Sequence, residues 1–593
     1  MMMPRVWVRL AVYALIPGTY AAAADAATEQ TELISVKTPA GATATPSGLS
    51  FVSTPHTMSR TGRYIVFSSY ASDVIPNQDN RSATRIFVRD RQTGVTTQVT
   101  ASPSTVYIDS PSISDDGRYV AFNGYGDVLG NGESAFTPRV YVIDLQTHAI
   151  EKVTVGLGNT LPNGNSSQPM ISGNGRYVVF TSEASNLVAN DTNGTTDVFE
   201  TDRSTHTTKR VSLNTSGKQL NNYSQSPYVS TDGRYVAFET NSSNATTLAG
   251  YVPSAVLLYD RSTGVVEFVN RNTKGTPSNV GGYAASVSDD GRYVAFYSQA
   301  TNLVPGAIYY WGQVYVRDRV AHTLACASIS SAGAIGNYNS LAPVINSAGT
   351  AVVFASTSSN LAPNDPGTNA GHVFVHSLTT GATTRASIAN DGTPAWIQGL
   401  DVTSLSITGD GSWVAFNTAA PNLVPDDQNN ALDVFAHQVL PRTIIRVNAG
   451  GSSYVDSLGR SWLSDRGFNT GVVSKYTAAI TGTSDPALYQ DQRYDAVGGA
   501  ELHYQFAVPN GTYLVRLHFA ENYVPNFHAG ARVFDVDVEG VRRYSGLDIY
   551  AQVAGHAALV LETSATVING SLTIDFHHEV ENPLINAIEV IQQ

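Results

Sequence analysis

Seven short segments of the chain share one pattern of polar and apolar positions. Each is a polar turn around a glycine followed by a run of aromatic, β-branched or small apolar residues, and Ser288–Phe296 is the clearest copy. The other copies are Ser59–Phe67, Ser114–Phe122, Ser172–Phe180, Ser230–Phe238, Asn346–Phe354 and Thr408–Phe416. Their glycines follow one another at intervals of 55, 58, 58, 58, 58 and 62 residues. A nearly fixed period of this length indicates a repeat architecture.

The residue types in each copy predict β-structure. Glycine allows the turn a positive φ at little steric cost, and the aromatic and β-branched residues after it favour a strand. Runs such as Tyr119–Phe122 are apolar on both faces, as expected of strands that stacked sheets cover on both sides. Seven such units predict a seven-bladed β-propeller over residues 30–440.

Each repeat contains further strands. We predict that the Gly-Arg-Tyr strand comes first, followed by a polar loop, a strand such as Val314–Asp318 and a last strand. The seventh repeat reaches Ala436 and changes character at Arg442, so it lacks a last strand of its own. We expect the amino-terminal strand Leu33–Val36 to take that place and close the ring, because closure removes an exposed sheet edge.

The region from 443 to 593 has a different pattern. Apolar and polar residues alternate in Tyr513–Phe519 and in Leu572–Phe576, which predicts half-buried strands. Pro509, Asn510 and Gly511 supply a turn before the first of these strands. The predicted fold class is therefore all-β, with a propeller followed by a β-sandwich.

Charge and targeting signals narrow the classes of partner. The formal net charge of −13 argues against nucleic acid, whose binding proteins concentrate Lys and Arg. Cys326 is the single cysteine, so no intrachain disulfide is expected.

The amino terminus predicts a signal peptide over residues 1–27, with cleavage near Ala24–Ala27. It contains the basic residues Arg5 and Arg9, then an apolar run and then small residues. Since no other run is long enough for a membrane span, we expect a secreted or periplasmic protein.

Catalytic and metal-binding patterns are sparse. The sequence has no nucleophile elbow, zinc motif or phosphate-binding loop. Asp191–Asp197 and Asp426–Asn429 have oxygen-bearing side chains at alternate positions, as calcium loops do, but the same residue types are common in tight loops. His577 and His578 are adjacent on a predicted strand and therefore point to opposite faces. We expect neither a metal nor a cofactor.

The two regions resemble known families. The repeats resemble the WD-like propeller repeats of the TolB type through the core Ser-x-Asp-Gly-Arg-Tyr-Val-Ala-Phe, which implies a fold but no particular function. The region 443–593 resembles a malectin domain through several motifs in the right order, which are Ile445–Gly451, Leu488–Tyr494, Val508–Tyr513, Leu517–Glu521 and Asn582-Pro583. This resemblance implies a jelly-roll-like sandwich that binds glucose-containing disaccharides or related glycans without catalysis.

The malectin resemblance also implies a carbohydrate site at Tyr476, Tyr494, Tyr523 and Glu581, and we add Phe527 because it could supply a ring face close to Val524. Val524 stands where the family has a second aromatic residue, and Glu581 where it has an aspartate, so the sugar recognised is left open. Aromatic rings suit the task because they stack on the apolar C–H faces of a pyranose, while its hydroxyls need fixed polar partners. Tyr489 lies in a predicted core strand and is expected to be structural.

Three functions stay open on the sequence alone. The first is an exported, non-catalytic protein that binds a glucose-containing oligosaccharide or polysaccharide, with the propeller as a platform. The second is a propeller polysaccharide lyase or glycoside hydrolase that uses the malectin-like region for targeting. The third is an envelope scaffold with a protein partner on the propeller face. An enzyme would need a convergent cluster of side chains, whereas these histidines are expected at different blade positions: His148, His206, His322, His372 and His437.

Overall fold

The computed structural model of the chain describes residues 30–37, 45–76, 84–99, 107–130, 137–246, 253–306, 311–363, 371–395, 404–425, 427, 429–439, 443–457, 460–495, 498–508 and 511–592. The predicted signal peptide lies outside these residues. Within them the regular structure is almost entirely β. None of the helices in these ranges has the length and apolar character that crossing a membrane requires.

Seven four-stranded antiparallel sheets form the first part of the chain. Their strands are β1 (Thr31–Leu33), β2 (Ser50–Phe51), β3 (Tyr64–Ser69), β4 (Arg85–Asp90), β5 (Val95–Gln98), β6 (Tyr107–Ile113), β7 (Tyr119–Tyr125), β8 (Arg139–Asp144), β9 (Ile150–Lys152), β10 (Ser166–Ile171), β11 (Tyr177–Ser182), β12 (Asp197–Asp202), β13 (Thr207–Arg210), β14 (Ser224–Val229), β15 (Tyr235–Thr240), β16 (Ala255–Asp260), β17 (Val265–Phe268), β18 (Gly282–Val287), β19 (Tyr293–Ser298), β20 (Gln313–Asp318), β21 (Thr323–Cys326), β22 (Ser340–Ile345), β23 (Ala351–Ser356), β24 (His372–Ser377), β25 (Thr383–Arg385), β26 (Leu405–Ile407), β27 (Trp413–Thr418) and β28 (Asp433–Gln438). A 3₁₀ helix, Leu157–Asn159, follows β9. Strands β2–β5 form the first sheet, each later group of four forms the next, and the seventh sheet has the order β1-β28-β27-β26. This is the predicted seven-bladed propeller.

The order of strands within a blade differs from the prediction. The Gly-Arg-Tyr strand is the second of its sheet, because an inner strand such as β6 precedes the glycine turn. In β6 the pairing shifts between Asp109 and Ser112, where Ser110 takes a positive φ of 52° just before Pro111. A bulge interrupts the alternation of side chains and proline is unusual inside a strand, so the inner strand has no strand-like sequence pattern.

The amino-terminal strand closes the ring, as expected. β1 pairs antiparallel with β28, and Leu33 lies opposite Phe435. The strand spans Thr31–Leu33 and not the predicted Leu33–Val36. The seventh sheet thereby gains its fourth strand from the other end of the propeller sequence.

Recurring arginines and aspartates hold the blades together. In five blades the arginine of the Gly-Arg-Tyr turn pairs with the aspartate that ends the third strand. The nitrogen–oxygen distances are 2.7–2.9 Å for Arg63–Asp90, Arg118–Asp144, Arg176–Asp202, Arg234–Asp260 and Arg292–Asp318. Hydrogen bonding from Arg63 lowers the pKa of Asp90 to about 2. These acidic side chains therefore have a structural role.

Three histidines share one blade position, so the prediction that they are scattered was wrong for them. His148, His206 and His322 lie in the hairpin between the third and fourth strands, with φ values of 60°, 53° and 55°. Other blades place a glycine with positive φ in the same hairpin. Because a left-handed turn position accepts histidine as well as glycine, the shared position was not visible in the residue types. The three histidines belong to the outer hairpins of three separate sheets.

Three further sheets follow from residue 443 onward. Their strands are β29 (Ile444–Asn448), β30 (Tyr454–Val455), β31 (Ser461–Ser464), β32 (Val472–Lys475), β33 (Asp491–Tyr494), β34 (His503–Ala507), β35 (Gly511–Phe519), β36 (Val533–Val538), β37 (Val541–Leu547), β38 (Leu559–Val567), β39 (Ser571–Val580), β40 (Leu584–Ile585) and β41 (Ala587–Gln592). The helical segments are the 3₁₀ helices Pro486–Tyr489 and Val524–Asn526 and the helix α1 (Ile549–Val553). The sheet orders are β30-β31-β29-β41-β35-β38, β34-β39-β36-β37 and β32-β33-β40. The two larger sheets share an apolar core that includes Tyr513, Phe534 and Phe576, as a β-sandwich does.

The sandwich contacts the propeller through arginine side chains. Arg446 donates hydrogen bonds to the carbonyl oxygens of Thr380 and Ser331 at 3.0 and 3.2 Å. Arg460 donates to the carbonyl oxygen of Ala332 at 3.2 Å. Ser331 and Ala332 lie between β21 and β22, and Thr380 lies between β24 and β25. These contacts use the propeller backbone and do not depend on its side chains.

Candidate carbohydrate site

A two-stranded ribbon, β32 and β33, presents two of the predicted tyrosines on one face. Val472 pairs with Tyr494, and the Tyr476 N–H donates to the Gln490 carbonyl oxygen at 2.8 Å. Side chains alternate along a strand, and residues paired across antiparallel strands share a face. Tyr476 and Tyr494 therefore project from the same face, and both are half-buried.

Gln492 lies between these tyrosines on the same face. It pairs with Ser474 in the ribbon and is 2% exposed, yet its Oε1 accepts no hydrogen bond from any residue that the structure describes. A buried acceptor without a donor is costly, so a ligand hydroxyl that reached this oxygen would satisfy it. Sequence reasoning missed Gln492, because only the register of the ribbon places it between two tyrosines.

A buried ion pair lies beside the tyrosines. Arg532 Nε is 2.7 Å from Glu521 Oε2, and only 6% and 1% of the two side chains is exposed. Burial raises the pKa of Tyr476. The charge of the Glu521 carboxylate raises it further, and the charge of Arg532 lowers it, so both members of the ion pair are close enough to act on the Tyr476 hydroxyl. Glu521 Oε1 accepts the Tyr523 N–H at 3.0 Å, and Arg532 also donates to the Asn582 carbonyl oxygen. Apart from the Phe-Ala-Glu motif that contains Glu521, no feature of the sequence predicts this pair.

Tyr523 and Glu581 occupy more exposed positions around this pair. Tyr523 is 47% exposed and precedes the 3₁₀ helix Val524–Asn526. Glu581 is exposed and takes a positive φ of 58° in the turn after β39. Its neighbour Asn582 is the residue whose carbonyl oxygen Arg532 binds. The ion pair thus connects the segments that carry Tyr523 and Glu581 with the tyrosine ribbon.

Phe527 belongs to an aromatic cluster that the sequence did not reveal. Its ring stacks on Tyr550 with centroids 5.7 Å apart and meets His556 edge-on at 4.9 Å. Gly555 permits this approach, since a Cβ there would lie 2.4 Å from the Phe527 ring. The His556 N–H donates to the Glu521 carbonyl oxygen at 3.0 Å, which joins the cluster to the ion pair. Tyr550, His556 and Gly555 therefore all contact the Phe527 ring, which limits the ring surface that could replace the aromatic lost at Val524.

Tyr489 has a structural position, as expected. It is 3% exposed, and its hydroxyl lies 2.8 Å from His518 Nδ1. The residue ends the 3₁₀ helix Pro486–Tyr489, whereas the pattern predicted a core strand. A short apolar run does not distinguish a strand from a buried turn of helix.

Comparison with known families agrees with the sandwich described above. Residues 443–588 match the family described as the malectin domain. This region is a malectin domain. The match supports carbohydrate binding as the class of function of the region.

Individual relatives match parts of the chain. Receptor-like protein 4 of Arabidopsis thaliana is 37% identical over 108 residues, which cover 18% of this chain and 17% of that protein. The chain thus spans about a sixth of the length of this curated relative. The ANXUR2 extracellular domain from Arabidopsis thaliana is 17% identical over 30% of this chain and 65% of its own, with a TM-score of 0.24. An oligogalacturonate lyase from Vibrio parahaemolyticus is 12% identical over 70% of this chain and 98% of its own, with a TM-score of 0.41.

Proposed function

We propose that the chain is an exported, non-catalytic carbohydrate-binding protein. Its malectin domain, from about residue 443, binds a glucose-containing oligosaccharide or polysaccharide, and the propeller up to about residue 440 serves as a platform. The observation that carries this proposal is the shared face of Tyr476 and Tyr494 beside the buried Glu521–Arg532 pair. Export rests on the amino-terminal sequence pattern, and a protein partner on the propeller face is compatible with the same role.

The geometry favours a neutral sugar. The Tyr476 and Tyr494 rings offer faces for the C–H surface of a pyranose, and the Gln492 Oε1 offers an acceptor for a hydroxyl. Glu521 and Arg532 neutralise each other, so the pair supplies fixed hydrogen-bonding dipoles without a net charge. An anionic uronic acid would therefore find no unpaired positive charge in this pair.

The same geometry argues against glycosidase chemistry in the domain. A glycosidase needs a pair of carboxyl groups that flank the bond to be cleaved, one of them held protonated as the acid. Glu521 is instead engaged by Arg532 and by the Tyr523 N–H, so neither of its oxygens is free to act as such an acid. Glu581 is exposed to solvent.

The propeller channel also favours a binding role. Inner segments of all seven blades line a cavity of about 260 Å³. Among its described lining residues there is no His, Asp, Glu, Lys or Arg, and the one titratable group is the buried Tyr228. A lyase needs a base and an acid near its substrate, so this lining supports a platform over an enzyme.

The direct test is titration calorimetry of the full mature chain with glucose disaccharides and a wider glycan panel. Tyr494→Ala should lower the affinity about 5- to 150-fold, by analogy with the roughly 1–3 kcal/mol of aromatic stacking on nucleobases. Tyr489→Phe is the control and should leave the affinity unchanged, because that ring is buried away from the ribbon face. If no glycan binds, the scaffold function takes the place of this proposal, and turnover of a polysaccharide would establish the enzyme.

A further inference from the structure

The connection between β33 and β34 and the strand β39 bring Asp495, Glu501 and His578 of the malectin domain together. Asp495 follows β33, Glu501 precedes β34 and His578 lies in β39. His578 Nδ1 is 2.9 Å from Glu501 Oε2 and 3.6 Å from Asp495 Oδ2, and one ligand atom of each residue lies within 4.8 Å of the others. Ligand atoms bound at about 2.0–2.2 Å to one tetrahedral ion are roughly 3.3–3.6 Å apart, so small shifts would allow all three to bind it.

The histidine is held in an orientation that suits a ligand. His578 Nε2 lies 3.0 Å from Asn582 Oδ1, an oxygen that can only accept a hydrogen bond. An Nε2–H donated to this oxygen leaves the lone pair of a neutral imidazole on Nδ1, which faces the two carboxylates. A second partner that fixes the tautomer in this way is typical of metal-binding histidines.

Asp495 supplies an independent observation. Its side chain is fully buried, and Oδ2 accepts the Leu502 N–H at 3.1 Å. Oδ1 is also buried and accepts no hydrogen bond from the described part of the chain. A buried carboxylate oxygen without a donor is costly unless a ligand satisfies it.

We propose that Asp495, Glu501 and His578 bind a divalent transition-metal ion of the zinc class. One imidazole nitrogen and two carboxylate oxygens form a donor set that zinc accepts, whereas calcium and magnesium prefer oxygen ligands alone. A fourth position is open to water. The site is independent of the proposed sugar-binding function, although Asp495 directly follows Tyr494 and donates its N–H to the Pro583 carbonyl oxygen at 3.1 Å.

The sequence did not predict this site because its ligands come from two segments that are far apart in the chain. His577 and His578 do not share a metal, as their adjacency on a strand indicates, and His577 Nε2 lies 3.2 Å from Asp537. His578 instead finds its carboxylate partners at the opposite ends of the stretch from 495 to 501. A metal site of this kind becomes visible only after the sheets are assembled.

The test is calorimetric titration of Zn²⁺ into the full mature chain after chelator treatment, with metal content measured by mass spectrometry. We expect one high-affinity Zn²⁺ per chain, a rise in melting temperature with Zn²⁺, and little response to Ca²⁺ or Mg²⁺. Asp495→Asn and Glu501→Gln should each weaken the site at least about tenfold, as loss of a ligand contact does. His503→Gln is the matched control, because His503 pairs with Asp575 at 2.6 Å and no third metal-ligating side chain joins the pair among the described residues.

If Asp495→Asn does not fold, Glu501→Gln still tests the proposal. Half of the Glu501 side chain is exposed to solvent, so its replacement should not prevent folding. Absence of saturable Zn²⁺ binding would overturn the proposal. Binding that both Asp495→Asn and Glu501→Gln retain at full strength would overturn it as well. In either case the three side chains form an imidazolium–carboxylate cluster, which nuclear magnetic resonance of a protonated His578 Nδ1 would show.

Discussion

Arg446 Nε lies 2.6 Å from Glu589 Oε1 where the malectin domain meets the propeller, and both side chains are almost fully buried. Arg460 and Arg516 approach the same carboxylate at 3.6 and 3.3 Å. Burial would raise the pKa of Glu589, but His518, whose Nε2 lies 3.9 Å from the carboxylate, and the charges of Arg446 and Arg460 hold it well below its usual range. The Glu589 carboxylate thus balances the positive charge of the arginines around it, and these guanidinium groups also donate hydrogen bonds to propeller carbonyl oxygens.

We predict that Glu589→Gln destabilises the protein by about 3–5 kcal/mol at pH 7, the range for breaking a buried ion pair. The folded pKa of Glu589 lies below the ordinary value of 4.5, so its contribution is present above that pH and is lost as the pH falls. The difference from the parent should therefore narrow toward pH 3 in denaturant unfolding. Glu562→Gln is the control: its half-exposed side chain lies 2.6 Å from Arg516 and should contribute about 1 kcal/mol or less. Equal losses in the two variants would contradict this account.

A second prediction concerns Gln492 and separates binding from stability. Gln492→Leu removes a buried oxygen that lacks a donor among the described residues, so the melting temperature should not fall. Sugar affinity should fall about 5- to 10-fold if that oxygen accepts a ligand hydroxyl, since one such bond contributes roughly 1 kcal/mol. Gln505→Leu lies on another sheet, where Gln505 bonds Ser571, and should leave the affinity unchanged. Unaltered binding by Gln492→Leu would place the sugar elsewhere.

Within the described residues, two blades have a buried aspartate at the start of the third strand, and only one of these aspartates has a described arginine beside it. In the third blade Arg210 Nη1 lies 3.9 Å from Asp197. In the seventh blade the position equivalent to Arg210 is occupied by Leu33. Arg210 pairs with Phe199 and Leu33 pairs with Phe435, and each phenylalanine is the third residue of its strand. Burial raises the pKa of Asp433 to about 7, although hydrogen bonds from Ser35 and Asn429 oppose the rise.

We predict that the free energy of unfolding falls as the pH rises from about 4 to about 7, because folded Asp433 retains a proton that the unfolded chain releases. Asp433→Asn should remove the part of this loss that Asp433 causes and stabilise the protein at pH 8 by roughly 2–4 kcal/mol, at about 1.4 kcal/mol per pKa unit. The gain should vanish near pH 4. Asp197→Asn provides the contrast, since it also removes one of the two carboxylates near Arg210, the other being Asp191 at 3.4 Å, and should gain less. Thermal unfolding of the parent and of Asp433→Asn across this pH range tests the prediction. Identical plots of stability against pH for the two proteins would refute it.

The last prediction concerns ring closure. Deletion of residues 31–35 removes β1 and exposes the edge of β28, so the melting temperature and the solubility should both fall. Ser35→Ala is a milder change that removes a hydrogen bond of 2.7 Å to Asp433 and should cost about 1 kcal/mol. A deletion variant that melts and elutes from a sizing column like the parent would show that the seventh blade does not need this strand.

The sequence alone determined the repeat count, the all-β class and the closure of the ring. These properties follow from local signals: a glycine turn recurs at a nearly fixed interval, and Leu33 begins an apolar run with no partner nearby in the chain. The inner strand of each blade was not predictable, because a bulge at residues such as Ser110 erases the period of two on which strand prediction depends.

The tertiary structure decided which side chains meet. The resemblance to the malectin family named Tyr476 and Tyr494, but the register of two strands places Gln492 between them. Glu521 and Arg532 become a pair only when the sheets are packed. A polar residue carries no mark of its future partner, since the free energy of an ion pair, a hydrogen bond or a metal ligand depends on distance and burial, and both are set by the assembled fold.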